Sequence, residues 1–146
     1  MKPEYLYHGS SRRILRKLIP KQSTDLDNTK ENLHFAVYAC KNRDMAIVMA
    51  IIHCKGVHWS SLKFMKKPLG IVYKGWPKQE YVYLYKLPSE SFKQQEDGGD
   101  QWYSDKPVKP TQVERLKIED YLHLVRKAND KETKQFFRTY KHKLKD

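Results

Sequence analysis

Cysteine and long apolar runs are both scarce in this sequence. Its 146 residues contain two cysteines, Cys40 and Cys54, which is too few for a disulfide framework or a zinc site, so we expect both to be reduced and buried. No stretch approaches the roughly 18 apolar residues of a membrane span. The first residues, Met-Lys-Pro-Glu, have no apolar signal-peptide core. We therefore expect a cytoplasmic protein with no membrane partner.

Acidic residues are also in short supply. The chain has 17 Asp and Glu against 29 Lys and Arg, a formal net charge of +12. Such an excess attracts polyanions, which leaves two interpretations open: contact with nucleic acid, or a basic surface that is simply solvated. A hydrophobic content of 39% with 12% aromatic residues argues against disorder. The length fits a single domain over residues 1–146.

The order of predicted elements indicates an α+β fold rather than a regular βαβ alternation. Short aromatic and β-branched runs predict the strands, which are 4–8, 34–39, 81–87, 101–104 and 113–118. Strand 113–118 is expected to be the last strand of the chain. Apolar residues at helical spacing predict the helices. A short helix is capped by Ser10 or Ser11 and ended by Pro20, and a second is capped by Asn42 or Asp44 and continues through residue 54. A third opens at Glu119-Asp120 and a basic helix covers about 126–146. Residues 57–79 are expected to form a loop with one or two short strands. The polar stretches 21–32 and 89–100 are expected to be loops.

The first predicted strand ends in His8-Gly9-Ser10. Glycine lets a ligand lie against bare backbone, and a histidine near its unperturbed pKa can donate or accept a hydrogen bond. On these residues alone, a strand-to-helix turn with a serine cap is favoured over a binding site. A second strand some thirty residues later carries Tyr38 and runs into the helix 42–54.

The two stretches together resemble the ADP-ribosyltransferase fold. They are most similar to its His-Tyr-Glu branch, which contains the poly(ADP-ribose) polymerases and many bacterial toxin-like enzymes. The resemblance covers about residues 4–122. It implies split antiparallel β-sheets with flanking helices, and a glycosyltransferase that consumes NAD as a substrate and needs no metal.

The resemblance also implies roles for individual residues. His8 would bond the adenosine ribose of NAD, Gly9 would hold the nicotinamide carboxamide through its backbone, and Ser10 would assist from the turn. Tyr38 would stack on the nicotinamide ring. Met49 falls where the family often has a second aromatic residue, and a methionine can still form an apolar wall.

The third motif of the family is a strand that begins with Glu, and this chain has Gln101 there. The Glu bonds the nicotinamide ribose and stabilises the cation that forms as nicotinamide leaves, a transition state like that of glycoside cleavage. A glutamine supplies only a dipole. The neighbouring Asp100 is a poor substitute because adjacent residues of a strand point to opposite faces. The chain is then a weak transferase, an NAD-binding protein without turnover, or a form that has lost the charge by a natural or engineered Glu→Gln change.

The acceptor and two competing functions stay open at this level. Arginine-modifying relatives often carry Glu or Gln where this chain has Gly99, which argues against arginine as the acceptor. The basic composition favours a nucleic-acid acceptor, with protein as the other option. Arg12 is a candidate for the NAD diphosphate, although a solvated basic face explains it equally well. RNA 2′-phosphotransferases share a related fold and use several arginines, here Arg12, Arg13 and Arg43. A non-catalytic basic nucleic-acid-binding module is the remaining alternative.

Overall fold

The structure, a computed structural model, describes residues 2–14, 16–22, 35–64, 66–95 and 100–141. The strands in these ranges are β1 (Tyr5–Ser10), β2 (Lys21–Gln22), β3 (Phe35–Cys40), β4 (Val57–Phe64), β5 (Pro68–Gly75), β6 (Tyr81–Pro88), β7 (Lys93–Gln94), β8 (Gln101–Ser104), β9 (Gln112–Lys117) and β10 (Val125–Lys127). The helices are α1 (Arg43–Ile52), a 3₁₀ helix (Ile118–Leu124) and α2 (Asp130–Tyr140). This is an α+β fold, as the order of predicted elements indicated.

The strands form two separate sheets. The larger sheet has the order β7-β8-β3-β1-β6-β9, with β2 paired to β3, and its pairings are antiparallel. The smaller sheet has the order β10-β5-β4, with β4 and β5 joined as a hairpin and β10 parallel to β5. In chain order β1, β3 and β8 are far apart, yet they are consecutive neighbours in the larger sheet.

Helix α1 is buried between the two sheets. Asn42 caps its N-terminus by accepting a hydrogen bond from the Met45 backbone N–H at 3.0 Å. Its apolar residues form one core cluster with residues of both sheets, the 3₁₀ helix and β10. Gly9 of β1 packs against one side of α1 and Gly70 of β5 against another. A second core cluster includes Leu6, Tyr85 and Trp102 of the larger sheet.

The predicted short helix between the Ser10-Ser11 cap and Pro20 is wrong. The described residues between 11 and 20 contain no helix, and Leu18 instead forms an isolated antiparallel bridge with Val108. Ile14 and Leu18 both pack into the second core cluster. Their spacing therefore reflects burial of an irregular segment rather than a helical turn.

The hairpin and the C-terminal part also differ from expectation. The stretch 57–79 contains two full strands of eight residues, β4 and β5, in place of a loop with short strands. The strand β10 follows the 3₁₀ helix, so β9 is not the last strand, and α2 begins at Asp130 rather than near 126. Part of each polar loop is strand, β2 and β7. The rest of the first loop from residue 23, residues 96–99 of the second and the chain end after 141 lie outside the described residues.

Several expectations are confirmed. Strands occur close to the predicted positions at β1, β3, β6, β8 and β9, and α1 falls within its predicted range. Both cysteines are free and buried.

Two further findings concern the described ranges alone. None of their helices has the length and apolar character needed to cross a bilayer, and no group of three or more His, Cys, Asp or Glu side chains in them is arranged to hold a metal ion.

Candidate functional site

The two central strands of the larger sheet separate where the first motif lies. The register between β1 and β3 is the single pair Tyr7 with Cys40. Beyond this pair, residues 8–10 of β1 keep partners in β6 but have none in β3. A sheet that splits in this way leaves backbone edges facing each other across a gap. The gap is bridged by the side chain of His8, which bonds the Tyr38 carbonyl oxygen.

A cavity of about 540 Å³ opens at this split. All seven residues singled out from the sequence line it: His8, Gly9, Ser10, Arg12, Tyr38, Met49 and Gln101. They come from β1, the turn after it, β3, α1 and β8. One wall is the exposed edge of the split sheet and another is α1, through Ala46, Met49 and Ala50. The volume falls within the range of small-molecule and cofactor sites.

His8 is held as a neutral imidazole with a defined tautomer. Its Nδ1 lies 2.6 Å from the Tyr38 carbonyl oxygen, and a carbonyl can only accept, so Nδ1 carries the proton and Nε2 is left as an acceptor. Desolvation by the surrounding protein lowers the pKa of His8, the bond to Tyr38 opposes the change, and the charge of Lys21 adds to it. At neutral pH this ring therefore offers an acceptor for a ligand hydroxyl.

The turn after β1 is fixed by hydrogen bonds from two other segments. Within the turn, Ser10 Oγ accepts from the Arg12 backbone N–H at 3.2 Å, so this serine caps a turn and not a helix. Gln79 Nε2 donates to the Ser11 carbonyl at 2.8 Å. The buried Tyr85 hydroxyl accepts from the Ile14 N–H and donates to the Arg12 carbonyl. The backbone that carries Arg12 along the cavity is therefore held from both sides.

Gln101 begins β8 and pairs with Cys40 of β3. Because adjacent side chains of a strand point to opposite faces, Trp102 packs in the second core cluster and Gln101 lines the cavity. Asp100 turns elsewhere, because its carboxylate accepts from the Asn42 backbone N–H at 3.1 Å, at the start of α1. Among the described residues that line the cavity, none is Asp or Glu.

The charged side chains along the cavity are cationic. Arg12, Lys17 and Lys21 all belong to the lining, which favours an anionic ligand. The one thiol in the lining, Cys40, has its pKa raised to about 12 by burial, with a further contribution from Asp100. That thiol stays protonated at neutral pH and is not a nucleophile. The lining therefore offers hydrogen bonds, aromatic and apolar walls, and positive charge.

Sequence reasoning missed several residues of this site. The alternation of the strand that carries Tyr85 is explained by sheet packing. Lys17 and His53 fall within predicted helices and Lys21 falls within a predicted loop, so no sequence pattern marks them as site residues. His53 lies at the end of α1, where its Nδ1 bonds the Met49 carbonyl at 2.9 Å. The β1–β6 register sets His8 opposite Tyr85. No local pattern could have indicated that pairing, because the two strands are distant in the chain.

We expect the Tyr85→Phe variant to loosen the turn after β1 without disturbing the sheet. The Ile14 N–H and the Arg12 carbonyl each lose a partner, which costs about 1 kcal/mol of unfolding free energy. Amide hydrogen exchange at Ile14 should accelerate. The control is Tyr81→Phe on the same strand, which keeps the ring that Arg115 covers at 4.3 Å. Equal exchange at Ile14 in both variants would show that Tyr85 does not hold the turn.

Comparison of the chain with protein-family models, with curated proteins and with solved structures finds no match. The geometry of the cavity and the resemblance of its residues to the ADP-ribosyltransferase motifs therefore carry the functional proposal.

Proposed function

We propose that this chain is an NAD-dependent ADP-ribosyltransferase with the split-sheet fold of that family, and that it transfers ADP-ribose from NAD to a macromolecular acceptor. The observation that carries the proposal is the common cavity of His8, Tyr38 and Gln101. In the sequence these residues belong to three motifs spread over most of the chain. Their strands, β1, β3 and β8, are neighbours in the larger sheet, and the cavity lies where that sheet splits.

The cavity supplies the chemical groups that NAD needs. The nicotinamide ring carries an amide, which fits backbone donors and acceptors at the split edge near Gly9, and an aromatic wall at Tyr38. The Nε2 acceptor of His8 suits a ribose hydroxyl. Met49 adds an apolar wall from α1, and Arg12 is available for the diphosphate.

The proposed reaction breaks the bond between the nicotinamide nitrogen and ribose C1′. Nicotinamide leaves with the electron pair, the ribose becomes an oxocarbenium-like cation, and a nucleophile of the acceptor then bonds C1′ and gives up its proton. Gln101 can accept a hydrogen bond from a ribose hydroxyl through its amide oxygen, but it contributes no negative charge to the cation. The residues present therefore support NAD binding better than fast turnover.

The acceptor is proposed to be nucleic acid, with protein as the second option. The net charge of +12 favours a polyanionic partner. The cationic side of the cavity, Arg12, Lys17 and Lys21, would face both the NAD diphosphate and an incoming phosphate backbone.

The alternative of an RNA 2′-phosphotransferase is less well supported. That chemistry needs several arginines around one phosphate, and of the three candidates only Arg12 lines the cavity. Arg43 is engaged elsewhere, since its guanidinium bonds Glu114 at 2.8 Å. The alternative of a non-catalytic basic module predicts no effect of NAD on the protein.

The test is the thermal stability of the protein with and without NAD. A ligand that binds only the native state raises the melting temperature in proportion to the logarithm of its concentration. We expect such a rise for the wild type and its loss in Tyr38→Ala, which removes the aromatic wall. The control is Tyr103→Ala, because Tyr103 is opposite Tyr38 on β8 but does not line the cavity. No rise in the wild type would reject the proposed function and favour the basic module.

A further inference from the structure

The β4–β5 hairpin belongs to a stretch of the chain that has no acidic residue. Between Asp44 and Glu80 the sequence contains six lysines and neither Asp nor Glu. The stretch contributes the two long strands of the smaller sheet. None of the residues between 54 and 79 lines the cavity. This concentration of positive charge is therefore separate from the candidate NAD site.

The end of this hairpin combines cations with an exposed aromatic ring. Lys63, Phe64, Lys66 and Lys67 are all exposed, and we call them the hairpin tip. The exposed fraction of Phe64 is 49%, and it is the only aromatic among the exposed large hydrophobic residues of the described chain. A basic surface kept only for solubility does not require an exposed phenyl ring. Cations around an exposed ring are the arrangement that binds single-stranded nucleic acid, because bases stack on the ring while cations contact phosphates.

The basic surface continues from the hairpin tip onto α2. This helix packs on the smaller sheet through Phe136, which stacks on Tyr73 with ring centroids 4.0 Å apart. Its exposed cations recur at spacings of three, four and three residues, which keeps them on one side of the helix; they are Lys131, Lys134, Arg138 and Lys141.

The carboxylate that pairs with Lys63 of the tip is also held by Arg126. Glu132 receives two hydrogen bonds from Arg126, at 2.7 and 2.8 Å, and its carboxylate lies 3.9 Å from the Lys63 ammonium. These bonds and the Asn129 backbone N–H lower the pKa of Glu132 to about 2. The carboxylate therefore stays ionised and paired. Among the described residues, none of the ion pairs includes Lys66 or Lys67.

We propose that the hairpin tip is a docking surface for single-stranded nucleic acid, with a base stacked on Phe64 and phosphates on the flanking lysines. The statement that the docked nucleic acid is the acceptor of ADP-ribose rests on the proposed function. Docking itself needs no NAD, so the docking surface and the proposed function can fail separately.

The test measures binding of a fluorescent single-stranded oligonucleotide of about 12 nucleotides by anisotropy over a series of salt concentrations. Phe64→Ala should weaken binding by about 5- to 100-fold, the range expected for loss of one stacked base. Lys66→Gln with Lys67→Gln should reduce the slope of log affinity against log salt by about 1.4, since each phosphate contact on a single strand contributes about 0.7. The oligonucleotide is tested both as DNA and as RNA, and the two affinities show which kind of single strand the surface prefers.

The matched control is the double variant Lys93→Gln and Lys106→Gln. It removes the same charge near the β7 edge of the larger sheet, whereas the hairpin tip belongs to the smaller sheet. It should change the slope by much less than the tip variant. Equal effects of the two double variants, no effect of Phe64→Ala, or equal affinity for a duplex would each overturn the proposal. The melting temperature of each variant is also measured with and without NAD. A retained NAD effect in variants that no longer bind the oligonucleotide supports the docking surface with an intact cavity.

Discussion

Replacing Gln101 with Glu is expected to raise the rate of NAD cleavage by about 10²–10³. The side chain lines the cavity at the start of β8, and the described residues of the lining include no carboxylate. A fixed negative charge near the ribose stabilises the cation that develops as nicotinamide leaves, whereas the wild-type amide offers only a dipole. The measurement is nicotinamide release from NAD in the presence of total nucleic acid, for wild type and variant side by side.

The cavity should accept the added charge. Arg12, Lys17 and Lys21 line the same space, so a carboxylate at residue 101 gains favourable electrostatic interactions. The control is Gln112→Glu, which adds the same charge on the exposed strand β9, outside the cavity. That variant should release nicotinamide at the wild-type rate.

Three outcomes of this experiment have different meanings. Activity only in the Gln101→Glu variant supports the fold, the third motif and the missing charge together. Equal activity in both forms would show that residue 101 is not the group that stabilises the cation. If neither form is active and NAD leaves the melting temperature unchanged, the resemblance at His8-Gly9-Ser10 is misleading and the basic binding module is the better hypothesis.

Replacing Gly9 with Ala is expected to lower the free energy of unfolding by about 3 kcal/mol or more, and the melting temperature by about 10 °C. A Cβ at this position would lie 1.9 Å from the Ala46 carbonyl oxygen and 2.9 Å from Ala50 Cβ. The first of these atoms is helix backbone, which can move only if α1 shifts away from β1. Because the same helix forms a wall of the cavity, the NAD-dependent rise in melting temperature should also be lost.

Gly70→Ala is the matched control for this prediction. Gly70 packs against another side of α1, and its added Cβ would lie 2.6 Å from Ile52 Cγ2 and 3.0 Å from Val48 Cγ1. Both are side-chain methyl groups on buried β-branched residues, so relief requires a small side-chain adjustment but no shift of the helix backbone, at a cost of about 1–2 kcal/mol. Thermal and denaturant unfolding of the two variants make the comparison. If Gly9→Ala is no more destabilised than Gly70→Ala, then α1 does not lie against β1 as described.

The contact with α1 also changes the meaning of the glycine in the first motif. From the sequence, Gly9 suggested an approach of ligand to backbone. The structure gives a second reason for the same residue, since the helix leaves no room for a side chain. The helix contact and the proposed ligand contact involve the same residue, so the stability of the Gly9→Ala variant and its response to NAD have to be measured separately.

Local sequence patterns predicted the elements that carry the site. The aromatic run before His8 predicted β1, the small and apolar residues around Tyr38 predicted β3, and Asn42 with the apolar face after it predicted α1. These signals are local because a strand or a capped helix is favoured by its own residues. The same patterns failed at Ile14 and Leu18, where apolar spacing served burial against distant partners such as Val108.

The sequence by itself determined a basic α+β chain with a His-Gly turn, a strand carrying Tyr38 and a strand beginning at Gln101. Only the tertiary structure decided that these elements meet, that β1 and β3 separate beyond Tyr7 and Cys40, and that Tyr85 and Gln79 hold the turn beside the cavity. The physical reason is that strand order and register depend on contacts between residues far apart in the chain, which leave no local pattern.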